Sequence, residues 1–208
     1  MIRIIIADDH AIVRQGLRQI VTLESSMEIV GEAQNGNETL ELVRKTPVDV
    51  VVLDISMPGR NGLETLKEIK RLYPGIAVIV LSMHPKDQYA VRVIKAGSAA
   101  YISKESAPDE LVAAIKKAYR GEKYISPDVA ELFADYIVRG EDEPHKLLSD
   151  REFEVLCMIG YGKGLTQISD ELNLSVKTVS TYRTRIIEKT GLTSNAEMTR
   201  YMLERGLA

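Results

Sequence analysis

The chain has 208 residues, of which 45% are hydrophobic and 27% are charged, and its formal net charge is −3. This length allows one large domain or two small ones, and the composition is ordinary for a water-soluble globular protein. The slightly negative charge argues against a protein that binds polyanions over its whole surface, so any nucleic-acid surface must be local.

The single cysteine, Cys157, excludes a disulfide within the chain and lies in an apolar helical pattern. We therefore expect a buried core thiol rather than a catalytic one. The first residues enter a strand pattern directly, without a leader sequence, and no apolar stretch approaches the roughly 20 residues that span a bilayer. These features predict a soluble, cytoplasmic protein without a membrane partner.

Apolar periodicity predicts five strands that alternate with five helices in about the first 120 residues. The strands are predicted at residues 2–7, 27–33, 48–54, 76–82 and 99–103. The helices are predicted at residues 11–24, 35–45, 62–72, 86–96 and 108–119, with Asn37 as a candidate cap of the second helix. This alternation favours an α/β fold of the flavodoxin-like type, a doubly wound parallel sheet with a ligand crevice at the carboxyl ends of its strands.

The pattern changes after the fifth helix. Residues 127–138 predict one more helix, and the charged, proline-containing sequence RGEDEPHK that follows predicts a linker. Beyond it the pattern is helical only, beginning with Ser149 and Glu152 as a capping box. The later helices lie within LTQISDELNL, VKTVSTYRTRIIEKTG and SNAEMTRYMLERGL. We thus predict a first domain at 1–122, a linker with a helix at 123–146, and an all-α four-helix domain at 147–208.

Polar residues stand where four of the predicted strands end. Asp8 and Asp9 follow the first strand, Asp54 ends the third, Ser82 ends the fourth, and Lys104 follows the fifth. Carboxylates this close repel one another unless a cation joins them, and a site with oxygen ligands but no cysteine or histidine cluster suits Mg²⁺. Together with the lysine and the hydroxyl group, the set predicts phosphoryl transfer onto a carboxylate. The alternative is that the three aspartates only cap helices and turns.

The third helix of the second domain is predicted to bind DNA. Only residues 173–175 separate it from the preceding helix, which is helix-turn-helix spacing. Its four basic residues stand against one acid, Glu188, although residues 148–208 contain eight of each sign. Small side chains on one face would let the helix enter a major groove, and basic neighbours would contact phosphates. The predicted DNA contacts are Lys177, Thr178, Ser180, Thr181, Arg183, Thr184, Arg185 and Lys189.

The residues at the strand ends resemble those of the receiver domain of two-component response regulators. The resemblance runs from Ile2 to about Tyr119 and includes the sequence LDISMPGRNG around Asp54. It departs from many receivers at Glu105, where they carry a proline, and this difference concerns only the local peptide geometry.

The resemblance implies a role for each residue of the pocket. Asp54 would accept phosphate from a sensor histidine kinase, and Lys104 would hold that phosphate. Ser82 would move toward the phosphoryl group and let Tyr101 turn inward, although Tyr101 is also interpretable as an ordinary strand aromatic residue. The implied metal ligands, with Asp8 assisting, are Asp8, Asp9, Asp54 and the carbonyl group of Ser56.

Residues 147–208 resemble the LuxR-type helix-turn-helix domain of the NarL/FixJ response regulators. The resemblance rests on LSDREFEVL, ISDELNLSVKTVSTYRTRIIEKTGL and NAEMTRYMLERGL, and VSTYRTRIIEKT looks closest to the subgroup that includes BvgA, EvgA and UvrY. Ser180 and Tyr182 depart from the commoner lysine and histidine, so a base preference cannot be transferred from other members.

The two resemblances together imply a DNA-binding transcriptional regulator that is not a turnover enzyme. The implied partners are a sensor histidine kinase, double-stranded promoter DNA and a second copy of the chain when phosphorylated, with RNA polymerase as a further candidate. Two receiver faces are candidates for the dimer: residues 86–96 with 99–103, and the first and last receiver helices.

Two other functions fit parts of the sequence. An aspartyl-phosphate phosphatase also uses aspartates at strand ends with Mg²⁺, but it usually needs an acid two positions after the nucleophile, where this chain has Ser56. A DNA-binding protein with a decayed receiver is the other alternative, and the complete set of pocket residues argues against it.

Overall fold

The computed structural model describes residues 1–83, 86–139, 143–205 and 207, without the side chains of 86–88, 128 and 135–139. The chain divides into two compact units, Met1–Glu131 and Leu132–Ala208. Each unit is described separately below.

The first unit contains five strands: β1 (Ile2–Ala7), β2 (Met27–Ala33), β3 (Val50–Asp54), β4 (Ala77–Ser82) and β5 (Ala100–Ser103). They form a parallel sheet in the order β2-β1-β3-β4-β5, which confirms the predicted flavodoxin-like fold. Strands β1 and β2 have the predicted bounds, and the other three begin one or two residues later than predicted. The helices of this unit are α1 (Ala11–Thr22), α2 (Gly36–Lys45), α3 (Gly62–Leu72), α4 (Lys86–Lys95) and α5 (Ala107–Tyr119). A further helix, α6 (Pro127–Arg139), begins in the first unit and ends in the second.

Strand β3 lies in the middle of the sheet, and all five of its residues are buried. Its β-branched residues suit a strand that is covered on both faces. On one face, Val50 and Val52 pack with Leu17 of α1 and Leu111 of α5 in a single apolar core. The core therefore fixes β3 in place and carries Asp54 to the carboxyl edge of the sheet.

Helix α2 is capped by Asn35, so the prediction of Asn37 as its cap was wrong. The side chain of Asn35 accepts the backbone N–H of Glu38 at 2.9 Å, and Glu38 in turn accepts the backbone N–H of Gln34 at 2.9 Å. An N-cap oxygen reaches the N–H groups two or three residues later, and Asn37 already lies inside the first turn. Helix α3 begins in the same way, with Asn61 accepting the N–H of Glu64 at 2.9 Å.

The second unit is helical, as predicted. Its helices are α7 (Asp150–Gly160), α8 (Leu165–Leu172), α9 (Val176–Thr190) and α10 (Asn195–Glu204), preceded by a short 3₁₀ helix (Pro144–Leu147) that was not predicted. The capping box of α7 is confirmed, with Ser149 N–H donating to Glu152 at 2.7 Å. Asn173 ends α8 in the left-handed conformation, with φ of 56°, and makes the tight turn into α9. Cys157 is buried, as expected.

Within the described part of the chain, no helix combines the length and the apolar character that crossing a membrane requires.

Candidate functional site

The carboxyl edge of the sheet brings the predicted polar residues together. Asp8 follows β1 and is fully buried, Asp54 ends β3 and is 1% exposed, and Ser82 ends β4 and is fully buried. Lys104 follows β5, and its side chain is 6% exposed. Parallel strands place their carboxyl ends on one edge, which explains why residues so distant in sequence meet here.

Lys104 bridges two of the carboxylates. Its Nζ atom lies 2.6 Å from Oδ2 of Asp8 and 2.8 Å from Oδ2 of Asp54. Burial raises the pKa of Asp54, and this effect outweighs the opposing attraction of Lys104. Burial alone would lower the pKa of Lys104, but attraction to Asp54 and hydrogen bonds to both carboxylates raise it. The lysine therefore stays charged and partly neutralises the pocket.

Two further groups complete the surroundings of the acids. The backbone N–H of Ser56 donates to Oδ1 of Asp54 at 3.2 Å. A residue that was not predicted as part of the site, His10, places its ring Nδ1 at 2.8 Å from Asp9 and 3.4 Å from Asp8. Its position directly after Asp8 and Asp9 could have indicated that it belongs to the pocket, but the direction of a side chain cannot be read from sequence.

The pocket has the composition of a cation site. One ligand atom from each of Asp8, Asp9, His10 and Asp54 lies within 4.8 Å of the others. Counting the three carboxylates and the ammonium group of Lys104 as ionised and His10 as neutral, the pocket has a net charge of −2, which a divalent cation would balance. An acidic pocket built from aspartate oxygens is typical of a Mg²⁺ site, so the residues present fit that ion.

Both predicted switch residues are buried. Ser82 ends β4 and is fully buried, and Tyr101 lies on β5 and is 1% exposed. The backbone carbonyl of Ser82 accepts the N–H of Lys104 at 3.0 Å, which ties the ends of β4 and β5 together.

Helix α9 exposes most of the residues predicted to contact DNA. Val179 and Ile186 are fully buried and fix which face of the helix points away from the domain. The hydroxyl groups of Thr181 and Thr184 donate to carbonyl groups one turn earlier, at 2.9 and 3.1 Å, so their methyl groups and oxygen lone pairs remain for other contacts. The exposed residues are Lys177, Ser180, Thr181, Thr184, Arg185 and Lys189.

Three more of the predicted DNA contacts have partners within the domain. Lys189 Nζ lies 2.6 Å from Oε2 of Glu152, and Arg183 Nε donates to Asn195 at 2.7 Å. The N–H of Thr178 donates to the capping oxygen of Ser175 at 3.0 Å. These residues have structural contacts in addition to any role at DNA.

Comparison with known proteins identifies both units. Residues 4–116 match the response regulator receiver domain, and residues 146–202 match the LuxR family of bacterial regulatory proteins. The chain is a response regulator. It is 38% identical over 209 residues to the response regulator UvrY of Escherichia coli strain K12, a match that covers all of this chain and 96% of UvrY. The resemblance to the subgroup of UvrY is thereby confirmed.

Solved structures of RcsB also resemble the whole chain. RcsB from Salmonella enterica serovar Typhimurium bound to promoter rprA with the phosphomimetic BeF₃⁻ is 29% identical, with a TM-score of 0.67, and the match covers 96% of this response regulator and 97% of RcsB. A structure of two RcsB dimers bound to two parallel DNAs is 28% identical, with a TM-score of 0.61, and covers 97% of each chain.

The family excludes one of the two alternative functions considered for this response regulator. It belongs to two-component systems and combines a receiver domain with a LuxR-type DNA-binding domain. It is a transcription factor and not a turnover enzyme, which sets aside the phosphatase alternative.

Proposed function

We propose that this response regulator accepts a phosphoryl group on Asp54 from a sensor histidine kinase and thereby changes its binding to promoter DNA. The observation that carries the proposal is the pairing of Asp54 with Lys104 at 2.8 Å inside a pocket of carboxylates. A buried carboxylate that contacts an ammonium group, beside further carboxylates able to hold a cation, is the arrangement expected for an acceptor of phosphate.

Each residue of the pocket has a task in this transfer. A carboxylate oxygen of Asp54 forms the new bond to phosphorus while the bond from phosphorus to the donor's histidine nitrogen breaks. Lys104 holds a positive charge where oxygens of the incoming group would lie. Ser82 would donate its hydroxyl group to the same oxygens, and Tyr101 would respond by a change in its packing.

Mg²⁺ is the proposed cofactor. Asp8, Asp9, Asp54 and the carbonyl group of Ser56 would hold it. When bound, it supplies positive charge that lowers the repulsion between the carboxylates and the phosphoryl group.

Helix α9 would enter the major groove of double-stranded DNA. Ser180, Thr181 and Thr184 would touch base edges, because their short side chains let the helix approach closely. The basic residues and Thr178 would contact phosphates and set the register of the helix. The proposed phosphate contacts are Lys177, Arg183, Arg185 and Lys189.

The phosphoryl group would act by shifting a population between receiver states. A ligand shifts such an equilibrium only as far as its affinities for the two states differ. In this proposal the receiver (1–122) acts through the linker (123–146) on the DNA-binding domain (147–208), and two phosphorylated copies bind paired half-sites. Structures of RcsB dimers on DNA and of RcsB with BeF₃⁻ support it by similarity. A cytoplasmic location and contact with RNA polymerase belong to the same proposal.

Binding to a pool of promoter fragments tests the proposal. The wild type and Asp54→Ala are measured with and without beryllofluoride plus Mg²⁺. We expect the mimic to tighten DNA binding by the wild type and to leave the variant unchanged. If both proteins bind DNA equally and ignore the mimic, the receiver does not act as a phosphoryl switch. If neither binds any fragment, the assignment of α9 fails instead.

A further inference from the structure

We propose that His10 adds a nitrogen ligand to the acidic pocket and makes it selective for divalent transition ions that favour imidazole, with Co²⁺ and Zn²⁺ as examples. The inference rests on the proposed function, because it starts from the cation site of Asp8, Asp9 and Asp54. In the structure, Nδ1 of His10 lies 2.8 Å from Oδ1 of Asp9 and 3.4 Å from Oδ1 of Asp8. These distances between ligand atoms suit neighbouring positions around one small ion.

The local structure gives no other task to the imidazole ring. His10 is the N-cap residue of α1, a position where serine, threonine, aspartate and asparagine are preferred because their side chains cap the helix. The side chain of His10 makes no such cap bond. Its backbone N–H donates to Asp8 at 2.8 Å, and its ring contacts only the carboxylates of the pocket among the contacts found in the described residues. The ring is 65% exposed, so it is not held by packing either. Its one recorded orientation faces the carboxylates.

The chemistry of the ring separates two classes of cation. Carboxylate oxygens suit Mg²⁺, whereas imidazole suits zinc, copper and nickel, and affinity for nitrogen donors rises along the first transition row toward copper. A neutral imidazole adds no charge, so it contributes little to the electrostatic attraction of Mg²⁺. The same residue therefore strengthens binding of a transition ion much more than binding of Mg²⁺.

One pocket would then take two kinds of ion on the same carboxylates. A transition ion held by His10, Asp8 and Asp9 would compete with Mg²⁺ for the oxygens that Asp54 needs near it. The concentration of such ions would thus set how much of the receiver is ready to accept a phosphoryl group. This is a form of regulation inside the pocket, independent of the kinase.

Metal titration of the full-length protein tests the inference directly. Co²⁺ is the probe, because its visible absorption changes when a nitrogen ligand is replaced by water, and Mg²⁺ is followed by shifts of backbone amide signals in NMR spectra. The variants are His10→Asn and His10→Ala, and the matched control is His84→Asn, a histidine outside the described residues. We expect both His10 variants to bind Co²⁺ about tenfold more weakly, with a changed spectrum, and to bind Mg²⁺ as the wild type does.

Three results would overturn the inference. The first is Co²⁺ binding with unchanged affinity and spectrum in both His10 variants. The second is an equal weakening of Co²⁺ and Mg²⁺, which would mean that His10 supports the pocket without selecting an ion. The third is a loss of Co²⁺ binding in His84→Asn alone. Failure of the proposed function looks different, because a wild type that ignores Mg²⁺ and beryllofluoride could still show the effect of His10 on Co²⁺.

Discussion

Lys189 Nζ lies 2.6 Å from Oε2 of Glu152, so the last basic side chain of α9 is bound to a carboxylate of α7. The carboxylate is almost fully buried, since Glu152 is 2% exposed, whereas the side chain of Lys189 is 40% exposed. The same oxygen also accepts the N–H of Ser149 at 2.7 Å. The pair therefore joins the capping box of α7 to the helix proposed to bind DNA.

The first prediction concerns the pH dependence of this pair. Burial by itself would raise the pKa of Glu152, but hydrogen bonds from Lys189 and Ser149 lower it below its ordinary value of 4.5. A carboxyl group whose pKa is lowered by folding stabilises the fold above its unfolded pKa, and this contribution is lost as the pH falls through the folded pKa. We expect Glu152→Gln to lower the free energy of unfolding at pH 7 by about 1 kcal/mol.

The difference in free energy of unfolding between the wild type and Glu152→Gln should shrink as the pH falls below 4.5, the ordinary pKa of a glutamate. Urea unfolding of the full chain, followed by amide NMR signals of α7 and α9, measures it at each pH. Glu188→Gln is the matched control, because Glu188 is an exposed carboxylate on α9, and it should follow the wild-type profile. A deficit that stays constant from pH 7 to acid would contradict the prediction.

The second prediction separates binding from stability on helix α9. Lys177 is exposed near the start of the helix, whereas Lys189 is bound to Glu152. We expect Lys177→Met to weaken DNA binding and to reduce the slope of log affinity against log salt concentration by about 1, because one phosphate contact is lost. We expect Lys189→Met to cost stability on the order of 1 kcal/mol, since it leaves a buried carboxylate without its partner while the lysine itself is partly screened by water.

Salt titrations of DNA binding and urea unfolding of both variants decide this comparison. The prediction is wrong if Lys189→Met unfolds like the wild type, because the contact of Lys189 with Glu152 would then contribute little to stability. A reduced salt slope in both variants agrees with the proposed phosphate contacts, so the loss of stability is what distinguishes Lys189→Met from Lys177→Met.

The third prediction concerns the effect of the ionised Asp54 on the stability of the receiver. Burial raises the pKa of Asp54 despite the nearby Lys104, so the ionised carboxylate opposes folding at neutral pH. Without divalent cations, we expect Asp54→Asn to raise the free energy of unfolding at pH 7 by about 1 kcal/mol. With Mg²⁺ present, the wild type should gain more than the variant, because a ligand stabilises the state that binds it.

Thermal unfolding in a chelator and in Mg²⁺ measures both effects. Asp49→Asn is the control, because the hydrogen bond from Arg3 lowers the pKa of Asp49 and this carboxylate supports folding. The Asp49→Asn substitution should therefore lower the stability both in the chelator and in Mg²⁺. Lower stability of Asp54→Asn in the chelator would show that Lys104 outweighs burial, against the prediction.

The features that depend on local pattern could be predicted from the sequence. The apolar run through Val50–Leu53 predicted a strand, and parallel strands necessarily bring Asp8, Asp54 and Lys104 to one edge. The capping box at Ser149 has a fixed spacing and was equally predictable. These predictions succeed because each rests on a repeat or spacing within a few residues.

Features that depend on side-chain direction or on distant partners could not be predicted. The sequence NGN contains two asparagines that could cap α2. Asn35 is the cap because its side chain accepts the backbone N–H of Glu38, a contact that the sequence alone does not show. The sequence places His10 beside two acids but does not show that its ring turns toward them. Glu152 is 37 residues from Lys189, so only the packing of α7 on α9 brings the two charges together.

The last prediction concerns Gly62, the first residue of α3. Its N–H donates to the carbonyl of Ile55 at 2.9 Å, which ties α3 to the end of β3. A Cβ atom at this position would lie 2.1 Å from the carbonyl oxygen of Asp54 and 2.6 Å from Cα of Ile55. Both neighbours are backbone atoms, so the chain itself must move to make room.

We expect Gly62→Ala to lower the free energy of unfolding by about 3 kcal/mol, at the upper end for an overpacked site, and to displace Asp54 from Lys104. Gly75→Ala is the matched control, because a Cβ atom there meets no atom within 4 Å, and it should change stability by less than about 0.5 kcal/mol. Urea unfolding measures the stability, and the response of DNA binding to beryllofluoride measures the pocket. If Gly62→Ala matches Gly75→Ala in both measurements, the close approach of α3 to Asp54 is not what positions the carboxylate.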